Sequence, residues 1–154
     1  MSVPSWEREL SGVQYIYELF KFNKRLGQIV MNHPKKYREN YGDHLIQSAL
    51  DSLKHAQAAN AIFMSTGTKE ADYLRRRQHL QNALALIDHT STVADIFLSL
   101  VYEQDGVKIE KLEKQQLYIG SQTKLIHDLI RGVMDSDADV FKGKKKPKST
   151  VGKR

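Results

Sequence analysis

Cysteine is absent from this chain of 154 residues. Its absence excludes disulfides, thiolate nucleophiles and thiolate metal sites, and a reducing, cytoplasmic location is expected. Proline occurs only at Pro4, Pro34 and Pro147. Proline interrupts helix interiors, and all three lie outside the segments with helical periodicity, so long unbroken helices are expected. No stretch alternates apolar and polar residues as a strand would. No apolar run approaches a membrane span, and residues 1–10 hold no apolar core of a secretory signal, so no membrane association is expected. Glycine-rich phosphate loops and nucleophile elbows are also missing, which leaves little chemistry for an enzyme.

What is present is a mixture of 40% apolar and 27% charged residues, enough for one domain with one apolar core. The net charge of +6 is unevenly spread. Of 24 basic residues, seven lie in residues 142–154 with no acid among them, leaving 17 against 18 acidic residues in the rest. The positive excess therefore belongs to the tail, and the body is close to neutral.

Four segments carry helical periodicity. Residues 11–32 repeat Val13, Ile16, Tyr17, Phe20 and Val30, joined by Leu19, Leu26 and Ile29; Ser11 is the expected cap and Pro34 the stop. Residues 43–65 place Leu45, Ile46, Ala49, Leu50, Leu53, Ala56, Asn60 and Phe63 on one face. Their second half is rich in alanine, so a neighbour can approach closely. Residues 69–103 show a seam of Tyr73, Arg77, Leu80, Leu84, Ile87, Ser91, Ala94, Leu98 and Val101. Residues 108–135 repeat that rhythm with Leu112, Gln116, Ile119, Thr123, Ile126, Ile130 and Val133. Short connections predict an all-α, antiparallel up-down-up-down four-helix bundle over residues 11–135, with a disordered, lysine-rich tail over residues 136–154.

The histidines are His33, His44, His55, His79, His89 and His127. None is paired at i and i+4, and no Glu-x-x-His occurs, so no metal site and no cofactor are expected. Arg38 and His44 have the spacing of the HEPN four-helix nucleases. They lie early in the chain, span Gly42 and fall at a loop-to-helix junction, so no catalytic role is assigned to them. Tyr15, Tyr17, Phe20 and Phe22 are read as packing residues.

Basic clusters are the remaining candidates. Lys21, Lys24 and Arg25 fall late in the first helix; Lys35, Lys36 and Arg38 come after it, with Tyr37 among them. Lysine and arginine neutralise phosphates with release of counterions, and tyrosine offers a face to unpaired bases. Arg75 and Arg76 open the third helix, where Arg77 falls on the seam and is expected to pair with a carboxylate or to line an interface. Lys144, Lys145 and Lys146 add to these in the tail. Together they point to an anionic partner, RNA or DNA.

The Pro34-Lys35-Lys36-Tyr37-Arg38 junction, the Ala58-Ala59-Asn60-Ala61-Ile62 stretch, and Arg75-Arg76-Arg77-Gln78 with Gln81-Asn82-Ala83-Leu84 resemble the bacterial four-helix proteins related to Avd, as does the start Met1-Ser2-Val3-Pro4. Avd is the accessory variability determinant of diversity-generating retroelements, and the wider group includes proteins encoded in 23S ribosomal RNA intervening sequences. The resemblance covers residues 11–135. It implies a non-enzymatic homopentamer that binds nucleic acid through a basic surface and associates with a reverse transcriptase during mutagenic copying of a template RNA. Lys35, Lys36, Arg38, Arg75 and Arg76 match the family's basic positions. One departure is plain: the body here is nearly neutral. A structural, protein-interaction bundle without a nucleic-acid role is the alternative.

Overall fold

The computed structural model describes residues 13–105 and 108–143. Four long helices account for most of them: α1 (Gln14–Met31), α2 (Asp43–Asn60), α3 (Glu70–Asp105) and α4 (Ile109–Phe141), with no strand among the described residues. One cluster of buried apolar side chains draws on all four.

In α1, Ile16, Leu19, Leu26, Ile29 and Val30 are buried at helical spacing, and Tyr15 and Phe22 are buried with them. The helix starts behind Val13, which has no side-chain cap; Ser11 lies outside the described residues. Pro34 stops α1 as expected, but the residues after it form no loop. One helical turn, Lys35–Tyr37, passes into a π-helical segment, Arg38–Gly42, which runs directly into α2. Gly42 makes this possible. A Cβ there would lie 2.7 Å from Val30 Cγ1, so only a residue without one lets the segment rest on α1.

α2 and α3 approach closely through small residues. Ala49, Ser52, Ala56 and Ala59 are buried, and the Ser52 hydroxyl donates to the Ala83 carbonyl at 2.8 Å. α2 ends at Asn60, short of the expected residue 65. Arg76 completes this end: its Nη1 donates to the carbonyls of Ala59 at 3.2 Å and Ile62 at 2.9 Å, acceptors that the end of a helix leaves open.

On α3, Leu80, Leu84, Ile87, Ala94, Leu98 and Val101 are buried, in line with the expected seam. At its start the seam is displaced by one residue: Arg76 is buried and Arg77 is partly exposed. α4 shows the same displacement at Gln115 in place of Gln116 and at Met134 in place of Val133. α4 also runs past the expected end at residue 135. Asp137 and Val140 are buried, Phe141 stacks on Tyr73 with ring centroids 4.3 Å apart, and Gly143, at φ 74°, closes the helix. The segment 136–141 is therefore part of the core structure and not of a tail.

Between α1 and α4, α2 and α3, and α3 and α4, residue numbers rise on one helix as they fall on the other. Gln122 donates to Glu18 and Gln115 meets His33; Ser48 meets Thr90 and His55 meets His79; Arg76 meets Asp137 and Asp88 faces His127. Glu70–Gln104 is long and apolar enough to cross a membrane by length and composition alone, a test that a buried core helix also passes. Its Leu80, Ile87, Phe97 and Leu98 are buried, and the helix packs on α2 and α4, as a core helix does.

Candidate nucleic-acid interface

The cations singled out in the sequence do not form one patch. Lys35, Lys36 and Arg38 lie at one end, and Lys21, Lys24 and Arg25 are spread along α1 toward it. His33 and Tyr37 both meet Phe97 edge-on, with centroids 5.3 and 6.4 Å away, which fixes this end at the level of Phe97 on α3. Arg75 lies at the opposite end, about 33 Å away along α3 at 1.5 Å per residue. Lys144, Lys145 and Lys146 lie outside the described residues.

Two of the expected contacts are corrected by burial. Arg76 is 7% exposed and forms a two-pronged pair with Asp137, Nε to Oδ2 at 2.6 Å and Nη2 to Oδ1 at 3.2 Å. With its contacts to Ala59 and Ile62, it joins α2, α3 and α4 and has no face left for a phosphate. Burial raises the Asp137 carboxyl above its ordinary range, and the Arg76 guanidinium offsets part of that rise. Tyr37 is 5% exposed, so it packs the end of the core and offers no stacking face. Arg38 is half-buried, with its Nε enclosed and without a hydrogen-bond partner among the described residues.

The exposed cations have near neighbours. Lys21 Nζ meets Glu18 at 2.9 Å and lies over the Tyr17 ring at 4.8 Å. Lys35 meets Glu39 at 3.5 Å, and Arg75 meets Asp72 at 3.4 Å. Lys36 lies over the Tyr37 ring at 5.0 Å. The Lys35 and Arg75 pairs are solvent-exposed one-turn pairs, each worth about 0–1 kcal/mol, so a phosphate can displace the carboxylate at little cost. The Lys21 pair differs, because Glu18 is buried and also accepts from Gln122 at 3.2 Å. Lys35 and Arg38 line a shallow groove together with Glu39 and Asp43, so this stretch is locally balanced in charge.

A better-formed feature lies beside it, where α1 meets α4. Tyr118 is half-buried, stacks on Phe22 with centroids 6.4 Å apart, and has the Arg25 guanidinium 5.9 Å from its own ring centre. Burial pushes the Tyr118 phenol up, while Arg25 and Lys21 pull it down, which places both cations in its field. Lys111 and Lys114 are exposed seven and four residues before Tyr118, on the same face of α4. Glu113, five residues before it, projects from the other side. Lys111 also acts on His33, at the end of α1. The sequence reading missed Tyr118, Lys111 and Lys114. Their spacing on α4 was visible, but their meeting with Arg25 depends on helix pairing.

With Arg25 and Lys21 at the Tyr118 ring and Lys111 and Lys114 exposed further along the same face of α4, this surface is suited to a phosphate backbone with an adjacent base. Comparison with family models, curated proteins and solved structures finds no match.

Proposed function

We propose that this chain is a non-enzymatic nucleic-acid-binding accessory protein of a diversity-generating retroelement, working in the cytoplasm without a membrane or cofactor. In this reading the four helices form an antiparallel up-down-up-down bundle, and five copies assemble around the same template RNA or cDNA that a reverse transcriptase copies. The observation that carries the nucleic-acid part is the cationic face around Tyr118. The retroelement, the reverse transcriptase and the pentamer rest on the resemblance to Avd-related proteins. Lys24, Arg25 and Lys36, with Lys111 and Lys114, contact phosphates, and Arg75 with the lysine-rich segment 144–154 supplies a second, distant contact. Arg76, Tyr37 and the enclosed edge of Arg38 hold the fold.

The test is reconstitution: reverse transcriptase, template-repeat RNA and the full chain, with cDNA yield as the readout. The reading expects yield to depend on the chain and to fall for a Lys24→Glu, Arg25→Glu double variant. Equal yield with and without the chain would remove the retroelement assignment. A purely structural, protein-interaction bundle is the second reading. It is favoured by Met31 and Leu117, which are 70% and 71% exposed. It predicts capture of a protein partner with no RNA shift at low salt.

A further inference from the structure

Two histidine pairs, which local spacing cannot show, bridge α2 and α3. His44 Nε2 lies 2.9 Å from His89 Nε2, with the rings nearly perpendicular, and both side chains are exposed. His55 Nδ1 lies 3.0 Å from His79 Nδ1, and this pair is half-buried.

We propose that His44 and His89 form a two-imidazole clamp for a divalent late transition-metal ion, of the nickel or copper class, across the α2–α3 seam. At a metal–nitrogen distance of about 2.0–2.1 Å, two nitrogens at right angles around one ion lie about 2.9 Å apart, whereas a tetrahedral angle opens them to about 3.4 Å. The two rings are hydrogen-bonded to one another, and their separation is also the one two nitrogens take at right angles around an ion, an arrangement with nitrogen ligands that suits nickel and copper rather than tetrahedral zinc. To direct both lone pairs at the ion each ring turns by about 45°, which the exposure of both side chains permits, and the proton that the donor ring carries on Nε2 passes to its Nδ1. Among the described residues no cluster of three or more histidines and carboxylates is formed, so water completes the coordination shell. The solvent-exposed side of the pair has room for it.

The backbones that carry the two histidines are already held together in the fold. One turn along α2 and one residue along α3, Ser48 and Thr90 share a buried hydrogen bond of 2.8 Å, and the Thr90 hydroxyl also donates to the Leu86 carbonyl at 2.7 Å. These bonds fix the two backbones beneath the histidines, so little ordering is left to be done when an ion arrives. His55 and His79 meet through Nδ1, the nitrogen nearer the backbone, in a half-buried setting with less room for bound water. That pair is a hydrogen-bonded rung and serves as the internal control.

The full chain, prepared without a polyhistidine tag, is titrated with nickel chloride by calorimetry, and a copper sample is examined by electron paramagnetic resonance. The clamp predicts one saturable ion per chain, hyperfine structure from two nitrogens, and a loss of affinity of at least about ten-fold in His44→Asn and in His89→Asn. His55→Asn retains full affinity. Both clamp residues are exposed, so unchanged helicity by circular dichroism verifies that the variants fold. Absence of saturable binding in the unmodified chain overturns the proposal, as does binding that survives both substitutions or is lost in His55→Asn.

Discussion

Arg76 holds the ends of three helices together, and its removal strands Asp137 as a buried charge without a partner. Breaking such a pair from one side costs about 3–5 kcal/mol, so Arg76→Ala should lower the denaturation midpoint sharply, while Arg77→Ala should change it by less than about 1 kcal/mol. Chemical denaturation monitored by circular dichroism checks both. His33 gives a second expectation. It is buried, with Nε2 donating to Gln115 Oε1 at 3.2 Å, and burial lowers its pKa below the ordinary 6.5 despite that bond, with Lys111 adding to the lowering. The unfolded chain therefore takes up a proton at a pH where the folded chain does not. Stability from the neutral ring is complete above pH 6.5 and falls as pH drops below it. Denaturation between pH 7.5 and 5 should show this decline, and His33→Gln should flatten it. The sequence pointed to a seam arginine at the start of α3, at Arg77, and the structure places that role at Arg76. A seam with a period of 3.5 drifts against a helix of 3.6 residues per turn, and over a helix as long as α3 the drift is enough to exchange Arg77 for Arg76.

At the level of elements, the end of α4 makes a sharper distinction. Ser136, Asp137 and Asp139 read as the polar start of a tail, yet Asp137 is buried because Arg76, distant in sequence, meets it. A chain ended at Asp135 loses Asp137, Val140 and Phe141 and should be destabilised by about 3 kcal/mol or more. A chain ended at Gly143 should melt at the temperature of the full protein. Equal melting of the two would show that residues 136–143 do not belong to the bundle. The four long helices were legible because proline is rare and the apolar period is clear. The Lys35–Gly42 segment was not, because Pro34 and Gly42 read as punctuation. Gly42 is there for close contact with Val30, and the π segment continues into α2 without a break.

At the level of the whole molecule, a nearly neutral body has exposed cations about the α1–α4 junction, Arg75 at the opposite end, and a separate positive segment beyond Gly143 in the sequence. The sequence identified Lys21, Lys24 and Arg25, but not their neighbours Tyr118, Lys111 and Lys114, since only helix pairing brings them together. The most direct test is the salt dependence of RNA binding by the full chain. Each single-strand phosphate neutralised contributes a slope of about −0.7 in log affinity against log salt. The account predicts a slope of about −2 or steeper, reduced by at least about 1 in a Lys24→Glu, Arg25→Glu, Lys114→Glu variant of unchanged helicity. A flat response, or a slope that the triple variant leaves unaltered, would contradict it.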